Sequence, residues 1–594
     1  MCGIAGILTG GEAPDPAVLE RMLTAQRHRG PDGRGAFRDG PLALGAVRLA
    51  VLDRTEAARQ PMSTPDGRFT LAYNGEVYNY GVLRHELEGL GERFRSSGDT
   101  EVVLRALARW GEGALARLNG AFALALWDAR ERRLLLARDR VGLRPLYFTE
   151  AGGDLLFASE IKGILASGRV KAALDGPALA ELFRFQNVWS QRTLFSGVLP
   201  VSPGSVLRMK DGRRELSEPF RFDFPGGPPL TEAEAIDGLR ARLEAAVTRQ
   251  LVSDVPVGAA LSGGLDGAAV VSEAVRHLPD LRTFTVGFET TSRKGDRAVD
   301  ERGAAAGLAR SLGTRHAEAV VSPEDAIQDL PALVHHLEEP RLAASFQNLA
   351  AARLAAGDVT VLLSGGGGDE LFAGYPWRYA PVLETKTPDA FALALGKVWG
   401  RVLPPGEEKG FWADGGKRLV AQGDPEGVLR RLAAEAGEVP PLHRMMSVEA
   451  RTFLPAYCVL EDKLHMATGV EVRSPLLDHE LLDWARRLPV SLRIAPDGSG
   501  KALLRKALAG RLPEAFLRAP KQGFVPPLLS WCAEEPWRGF LQGTLLKPPF
   551  MERGLIRPEA VRKDVEALVA GRPEPLQRVW TCLAFELWCR EFLD

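Results

Sequence analysis

Cysteine is scarce. The 594-residue chain carries five, Cys2, Cys458, Cys532, Cys582 and Cys589. An odd, scattered set excludes a disulfide framework, and no CxxC pair points to zinc. Long apolar runs are also missing: nothing approaches the roughly 18 consecutive apolar residues of a spanning helix, which excludes a membrane span. The start, MCGIAGILTG, lacks the basic segment and apolar core of a signal peptide, so the cytoplasm is the expected compartment. Neither sign of charge is in excess, since 75 Lys+Arg against 76 Asp+Glu leaves a net −1. That balance excludes nucleic acid as the main partner and an acidic, disordered chain. With 63 glycines and 41 prolines, the two residues stay below the roughly 25–30% of low-complexity sequences. What remains is an ordinary globular composition, 45% hydrophobic and 25% charged. At about 150 residues per domain it is long enough for two to four domains.

Residues 1 to about 220 read as strand-rich. FALALW at 122–127 and LLLA at 134–137 flank the polar DARERR and predict a hairpin. Residues 69–73 and 77–78 flank Asn74-Gly75, a second strand–turn–strand pattern. DFPGGPP at 223–229 is the best linker in the chain. Thr231, followed by Glu232 and Glu234, then opens a helix that runs to about Leu251. Beyond it, strands at 257–261, 283–288 and 359–363 alternate with helical stretches, one of them ending near Leu312. This is the pattern of a parallel α/β sheet, whose ligands gather at the carboxyl ends of its strands. Residues 380–594 carry mostly amphipathic helix patterns, and there is no internal repeat. The domain reading is therefore 1–222, a linker at 223–230, and 231–594.

Cys2 follows the initiator Met. Removal of Met1 would put a thiol and a free α-amine on one residue, and an amine with a pKa of about 7.7–8 can serve as that thiol's own base. The segments MCGIAGI at 1–7, HRGPDG at 28–33, Arg48-Leu49, QPM at 60–62, Asn74-Gly75-Glu76, GDTE at 98–101, ARDRVGLRPLY at 137–147 and FASEIK at 157–162 follow it in order. With these, the first half resembles the class II glutamine amidotransferase domain, an N-terminal-nucleophile (Ntn) hydrolase with an αββα sandwich. The resemblance implies that Cys2 attacks the glutamine side-chain amide. Asn74 and the Gly75 N–H would form the oxyanion hole, Arg48 would hold the α-carboxylate, and Asp99 with Glu76 the α-ammonium. Leu49, Ala50, Val51 and Leu52 would line the glutamine pocket. His28 reads as a loop-structuring residue because the α-amine already supplies the base. ARDRVGLRPLY reads as a turn fixed by Gly142 and Pro145.

The second half offers two glycine loops after strands, SGGLDG at 262–267 and SGGGGDE at 364–370. Each presents bare backbone N–H groups to an anion and carries acids suited to Mg²⁺: Asp266 in the first, Asp369 and Glu370 in the second. The G-x-x-x-x-G-K-[ST] pattern is absent, which excludes a Walker P-loop. VPVGAALSGGLDG at 255–267, FTVGF at 284–288, Asp300-Glu301, GTRH at 313–316, Glu339-Pro340, LLSGGGGDELFAGY at 362–375, MATGVEVRSPLLD at 466–478, KALLR at 501–505 and LPEAFLRAPKQGF at 512–524 resemble the ATP-pyrophosphatase domain of the asparagine synthetase family. The resemblance spans nearly the whole chain. It implies a glutamine-hydrolysing ligase that uses ATP and Mg²⁺ on small-molecule substrates, glutamine and aspartate, and it leaves room for a homodimer. Backbone groups of Leu261 and Val286 would hold adenine. Ser262, Gly263, Gly264, Ser364 and Gly365 would contact the nucleotide, Asp266 and Asp369 would bind the metal, and Lys501 would neutralise pyrophosphate. Ammonia made at Cys2 would cross an internal channel to the acyl-adenylate.

Two positions depart from the family pattern. The first loop ends in Gly267 where the family has Ser, and the second has Gly366 where the family has an acid that helps form the adenylate. A glycine keeps the backbone cradle and gives up the side-chain chemistry. The expected activity is asparagine synthesis. The alternatives are the same chemistry on another carboxylate, such as a natural-product or cell-envelope precursor, and a glutaminase whose synthetase half is impaired.

Overall fold

The computed structural model describes residues 2–290, 300–341, 345–518 and 526–594. Met1, positions 291–299 of the run toward Leu312, and the 519–524 end of LPEAFLRAPKQGF lie outside those residues.

Residues 2–217 build two stacked six-stranded antiparallel sheets. One runs in the spatial order Leu199–Pro200, Tyr147–Ala151, Asp154–Ala158, Cys2–Leu8, Leu42–Arg48, Gly33–Asp39. The other runs Arg213–Ser217, Val206–Lys210, Arg133–Arg138, Gly120–Asp128, Phe69–Val77, Met62–Ser63. Period-two alternation sends Ile4, Ala72, Ala125 and Trp127 into the space between the sheets. Their neighbours Ala5 and Ile7 face outward to the helix Pro16–Ala25. Leu71, Tyr73 and Leu124 face the helices Tyr80–Gly89 and Asp99–Trp110. With both faces covered, the strands read as continuous apolar runs, and the layers are the expected αββα sandwich.

The predicted hairpin is present, Gly120–Asp128 pairing with Arg133–Arg138. The predicted turn at Asn74-Gly75 is not. Phe69–Val77 is one strand that continues straight through both residues. Glycine is required at 75 by packing, because a Cβ there would lie 2.3 Å from the Ala121 carbonyl on the adjacent strand.

The linker segment is docked onto the second half. Phe222 and Phe224 are buried and stacked, and the Phe224 N–H donates to Ser447 Oγ at 2.9 Å. The helix Glu232–Gln250 follows, its start closed by a reciprocal Thr231–Glu234 capping box.

The sheet of the second half, the third among the described residues, is wholly parallel, in the order Arg315–Val321, Arg282–Phe288, Val257–Ala260, Val361–Leu363, Glu471–Arg473. The chain builds outward from Val257–Ala260 in one direction, then returns to build in the other. Its switch point therefore lies between Val257–Ala260 and Val361–Leu363, where an open α/β sheet leaves a crevice for ligand. Both glycine loops leave the sheet there. After residue 376, Glu471–Arg473 is the one named strand among the described residues, and the remaining elements are helices.

Candidate active sites

Cys2 begins its strand directly opposite Arg48 in the ladder and is buried. Its backbone N–H donates to Asn74 Oδ1 at 3.0 Å. Gln60 Nε2 lies 3.7 Å from the thiol, and Gln60 Oε1 accepts the Tyr73 N–H. Burial pushes the thiol pKa up, while the Arg48 charge pulls the other way. The Asn74 amide is used on its oxygen side only: its Nδ2 is buried with no partner among the described residues. A buried donor beside a nucleophile, fixed in place by its own oxygen, can receive negative charge without reorganising.

Arg48 is half-buried and holds its own following loop, donating to the carbonyls of Leu52 at 3.0 Å and Asp53 at 2.5 Å. Leu49, Ala50, Val51 and Leu52 form the buried wall of that loop, pinned where the Ala50 N–H reaches Asp32 at 2.8 Å. Asp99 accepts from Tyr73 Oη and the Val77 N–H, which sets it beside Glu76 at the strand's end. Burial pushes both carboxyls up, and for Glu76 the Asp99 charge adds to the effect. Two buried acids side by side favour a cation between them.

At the switch point the two glycine loops pack backbone to backbone. A Cβ on Gly365 would lie 2.5 Å from the Gly267 nitrogen. The Gly263 N–H is taken by a carboxylate oxygen of Glu301 at 3.1 Å, so an anion already sits on this cradle. Leu261 lies beside the strand that carries Val286; its N–H bonds the Phe284 carbonyl and its carbonyl accepts the Thr285 hydroxyl. Ser364 turns inward to Glu461, while Gly365 is half-buried. Lys501, buried, reaches Asp266 at 2.5 Å and Asp369 at 2.7 Å, and this pair holds its ammonium strongly protonated against burial. The structure thus gathers Asp266, Asp369 and Lys501 on one spot, with Glu370 turned aside to Tyr375 Oη at 2.8 Å.

A buried charge network joins the two halves. Arg29 donates to the Cys2 carbonyl at 3.1 Å, to Glu160 at 3.0 Å and to Asp462 at 2.7 Å. Arg144 bonds the other oxygen of Asp462 at 3.2 Å. Lys162 and Lys463 converge on Glu338. Burial opposes ionisation of Glu160, yet His28, Lys162 and Arg29 outweigh it and hold its carboxyl well below the usual range. Such a network fixes orientation more than it adds stability, because desolvation offsets much of the attraction. Asp462 belongs to the helix Phe453–Met466, and Glu461, next to it, reaches the second glycine loop. One helix therefore meets the second loop directly and reaches Cys2 through Arg29.

Comparison with known proteins agrees with this arrangement. The asparagine synthase family model matches residues 238–590, and that of the glutamine amidotransferase domain matches residues 1–220. The chain belongs to the asparagine synthase family. It is an enzyme, an ATP-dependent ligase of the glutamine-hydrolysing type. Asparagine synthetase [glutamine-hydrolyzing] 1 of Bacillus subtilis is 32% identical over 99% of this chain and 96% of its own length. Asparagine synthetase [glutamine-hydrolyzing] 3 of the same organism is 31% identical over 88% of this chain and 87% of its own length. The amidase chyE of Penicillium rubens is 28% identical over 97% and 94%. No described helix is long and apolar enough to cross a membrane.

Many of the segments that build these sites stand out in the sequence, while what some of their residues do does not. Gln60 sits in QPM, Arg29 in HRGPDG and Arg473 in MATGVEVRSPLLD, but Gln60 meets the Cys2 thiol, Arg29 meets Asp462 and Arg473 donates to the Gln250 carbonyl, each far along the chain. Asp139, in the ARDRVGLRPLY turn, accepts five backbone N–H groups, those of Phe122, Val141, Gly142, Leu143 and Arg144. His28 is a network member, 3.2 Å from Glu160, in keeping with a structuring role. Glu461 had no signal, being one acid in a helical pattern.

Proposed function

We propose that the chain makes asparagine from aspartate, with glutamine as nitrogen donor and Mg·ATP as activator. The domains are those of the sequence, 1–222 and 231–594, joined by 223–230. In the first, removal of Met1 frees the Cys2 amine, which takes the thiol proton as the sulfur attacks the glutamine amide. The Asn74 Nδ2 donor and the Gly75 N–H receive the oxyanion. Arg48 takes the substrate carboxylate, and the Asp99–Glu76 pair takes its ammonium. Leu49, Ala50, Val51 and Leu52 wall the pocket. The orphaned Asn74 donor beside Cys2 is the observation that carries this half.

In the second, Leu261 and Val286 flank the adenine, and Ser262, Gly263, Gly264, Ser364 and Gly365 surround the phosphates. The hard oxygens of Asp266 and Asp369, converging on one cation already, suit Mg²⁺. Bound there, the ion would supply positive charge against the phosphates. Lys501 neutralises the departing pyrophosphate. The aspartate side-chain carboxylate attacks the α-phosphorus of ATP and pyrophosphate leaves. Ammonia from Cys2 then attacks the acyl carbon and AMP leaves with the bonding pair. Keeping the two sites apart protects the adenylate from water.

The test is incubation with Mg·ATP and glutamine, with and without aspartate. Aspartate-dependent pyrophosphate matched one to one by asparagine is expected. Pyrophosphate that depends on a different carboxylate supports the second reading, the same chemistry on another acceptor, which the glycine at 366 and the 28%-identical amidase favour. Glutamate release with no acceptor-dependent pyrophosphate overturns both.

A further inference from the structure

Gly366 lies in the second loop where the family resemblance expects an acid, and its backbone is outside the left-handed region, so a side chain could stand there. The space is already taken. A Cβ built on Gly366 would lie 3.0 Å from Glu461 Oε2, with Ser474 Oγ at 3.3 Å and Ser364 Oγ at 3.5 Å beyond it. Glu461 comes from the helix Phe453–Met466, 95 positions further along the chain, and is buried. Its other oxygen, Oε1, is fixed by two hydroxyl donors, Ser364 Oγ at 3.0 Å and Tyr457 Oη at 3.1 Å. Ser364 also accepts the Gly366 N–H at 3.1 Å, so loop and carboxylate are held as one unit. The other buried acids nearby are engaged elsewhere, Glu370 with Tyr375 and Glu449 with Arg378.

We infer that Glu461 brings from the helix a carboxylate to the place the second loop leaves without one, and takes the proton when ammonia attacks the acyl-adenylate; adenylate formation itself calls for no base, because the acceptor carboxylate is already ionised at neutral pH. The inference rests on the ligase reading above. In the step, the ammonia nitrogen forms a bond to the acyl carbon, one of its protons passes to Glu461 Oε2, and the carbon–oxygen bond to AMP breaks with its electron pair leaving on the phosphate. Burial pushes the carboxyl up to about 7, against the Ser364 and Tyr457 hydrogen bonds and the Arg144 charge, with Glu370 adding to the rise. A base in that range is matched to neutral pH. Gly366 and Glu461 thus exchange roles: the small loop residue makes room for the long helix residue.

The experiment compares wild type, Glu461→Gln, Glu461→Asp and the double variant Glu461→Ala/Gly366→Glu. Two rates are read with ammonium as nitrogen source: acceptor-dependent ATP–pyrophosphate exchange, and amide formation. Melting temperatures check the folds. For Glu461→Gln, exchange stays within about threefold of wild type, while kcat for amide falls by about 10²–10⁴, the usual contribution of a positioned proton acceptor. Glu461→Asp is intermediate. The double variant recovers at least about tenfold over Glu461→Gln, because its new carboxylate starts from the loop. Amide formation by Glu461→Gln within about threefold of wild type overturns the inference, as does parallel loss of exchange, amide and melting temperature in all three variants. Wild type that makes no amide at all contradicts the ligase reading instead.

Discussion

The two sites of this chain hold their chemistry differently. The first sets the side chains the family resemblance assigns it on the strands of a rigid sandwich and the helix start beside them: Cys2 against Arg48, Asn74 on Cys2, and Asp99, first residue of its helix, on the Val77 N–H that ends the Asn74 strand. The second keeps its glycine loops and gathers Asp266 and Asp369 on Lys501, but has glycine at 267 and 366. A site made of side chains on strands cannot lose one without losing its role. A site made of loop backbone can, provided a neighbouring element brings the missing group, as Glu461 does here.

The sharpest way to break this contrast is at the nucleophile. Cys2→Ala is expected to lower glutamine-dependent synthesis by about 10⁶, the scale for removing a covalent nucleophile, while ammonium-dependent synthesis persists. Equal loss with both nitrogen sources, read as product per minute, would show that the two sites are not separable. Asn74→Ala lowers glutaminase kcat by about 10²–10³, the scale of a single oxyanion donor; an effect confined to KM would assign Asn74 to ground-state binding.

Arg29→Met tests the joint between the sites. It leaves Glu160 and Asp462 buried with a partner removed, a loss of about 3–5 kcal/mol. Lower melting temperature together with glutamate outrunning amide product is expected; an unchanged ratio would mean that the network only holds the halves together. The smallest effect is expected at Gly267→Ser. A Cβ there lies 3.3 Å from the Ala260 carbonyl, a tight but adjustable contact. Restoring one hydroxyl near phosphate is worth about 1 kcal/mol, a shift of roughly fivefold in the KM for ATP.

Where function is carried by residues close in sequence, it was legible. The N-terminal cysteine, the glycine loops with their acids and the alternation of strands and helices all stand in local patterns, and they place the two candidate sites. Local pattern misled at Asn74-Gly75, where turn chemistry outweighed the apolar run on either side, although Gly75 is there for close packing on Ala121. The strand Glu471–Arg473 was missed because two of its three residues are charged; they pair with each other at 2.6 Å inside the protein. The Arg29–Asp462 bridge spans 433 positions and the Ser364–Glu461 contact 97, separations that no periodicity reports.

A nitrogen label shows whether the two sites work as one. Wild-type enzyme is given Mg·ATP, aspartate and [amide-¹⁵N]glutamine in the presence of a large excess of unlabelled ammonium, and the product amide is analysed by mass. Amide nitrogen that is predominantly ¹⁵N means that ammonia passes inside the protein from Cys2 to the adenylate, as proposed. Amide nitrogen that matches the bulk ammonium, or ¹⁵N released with no amide formed, contradicts it.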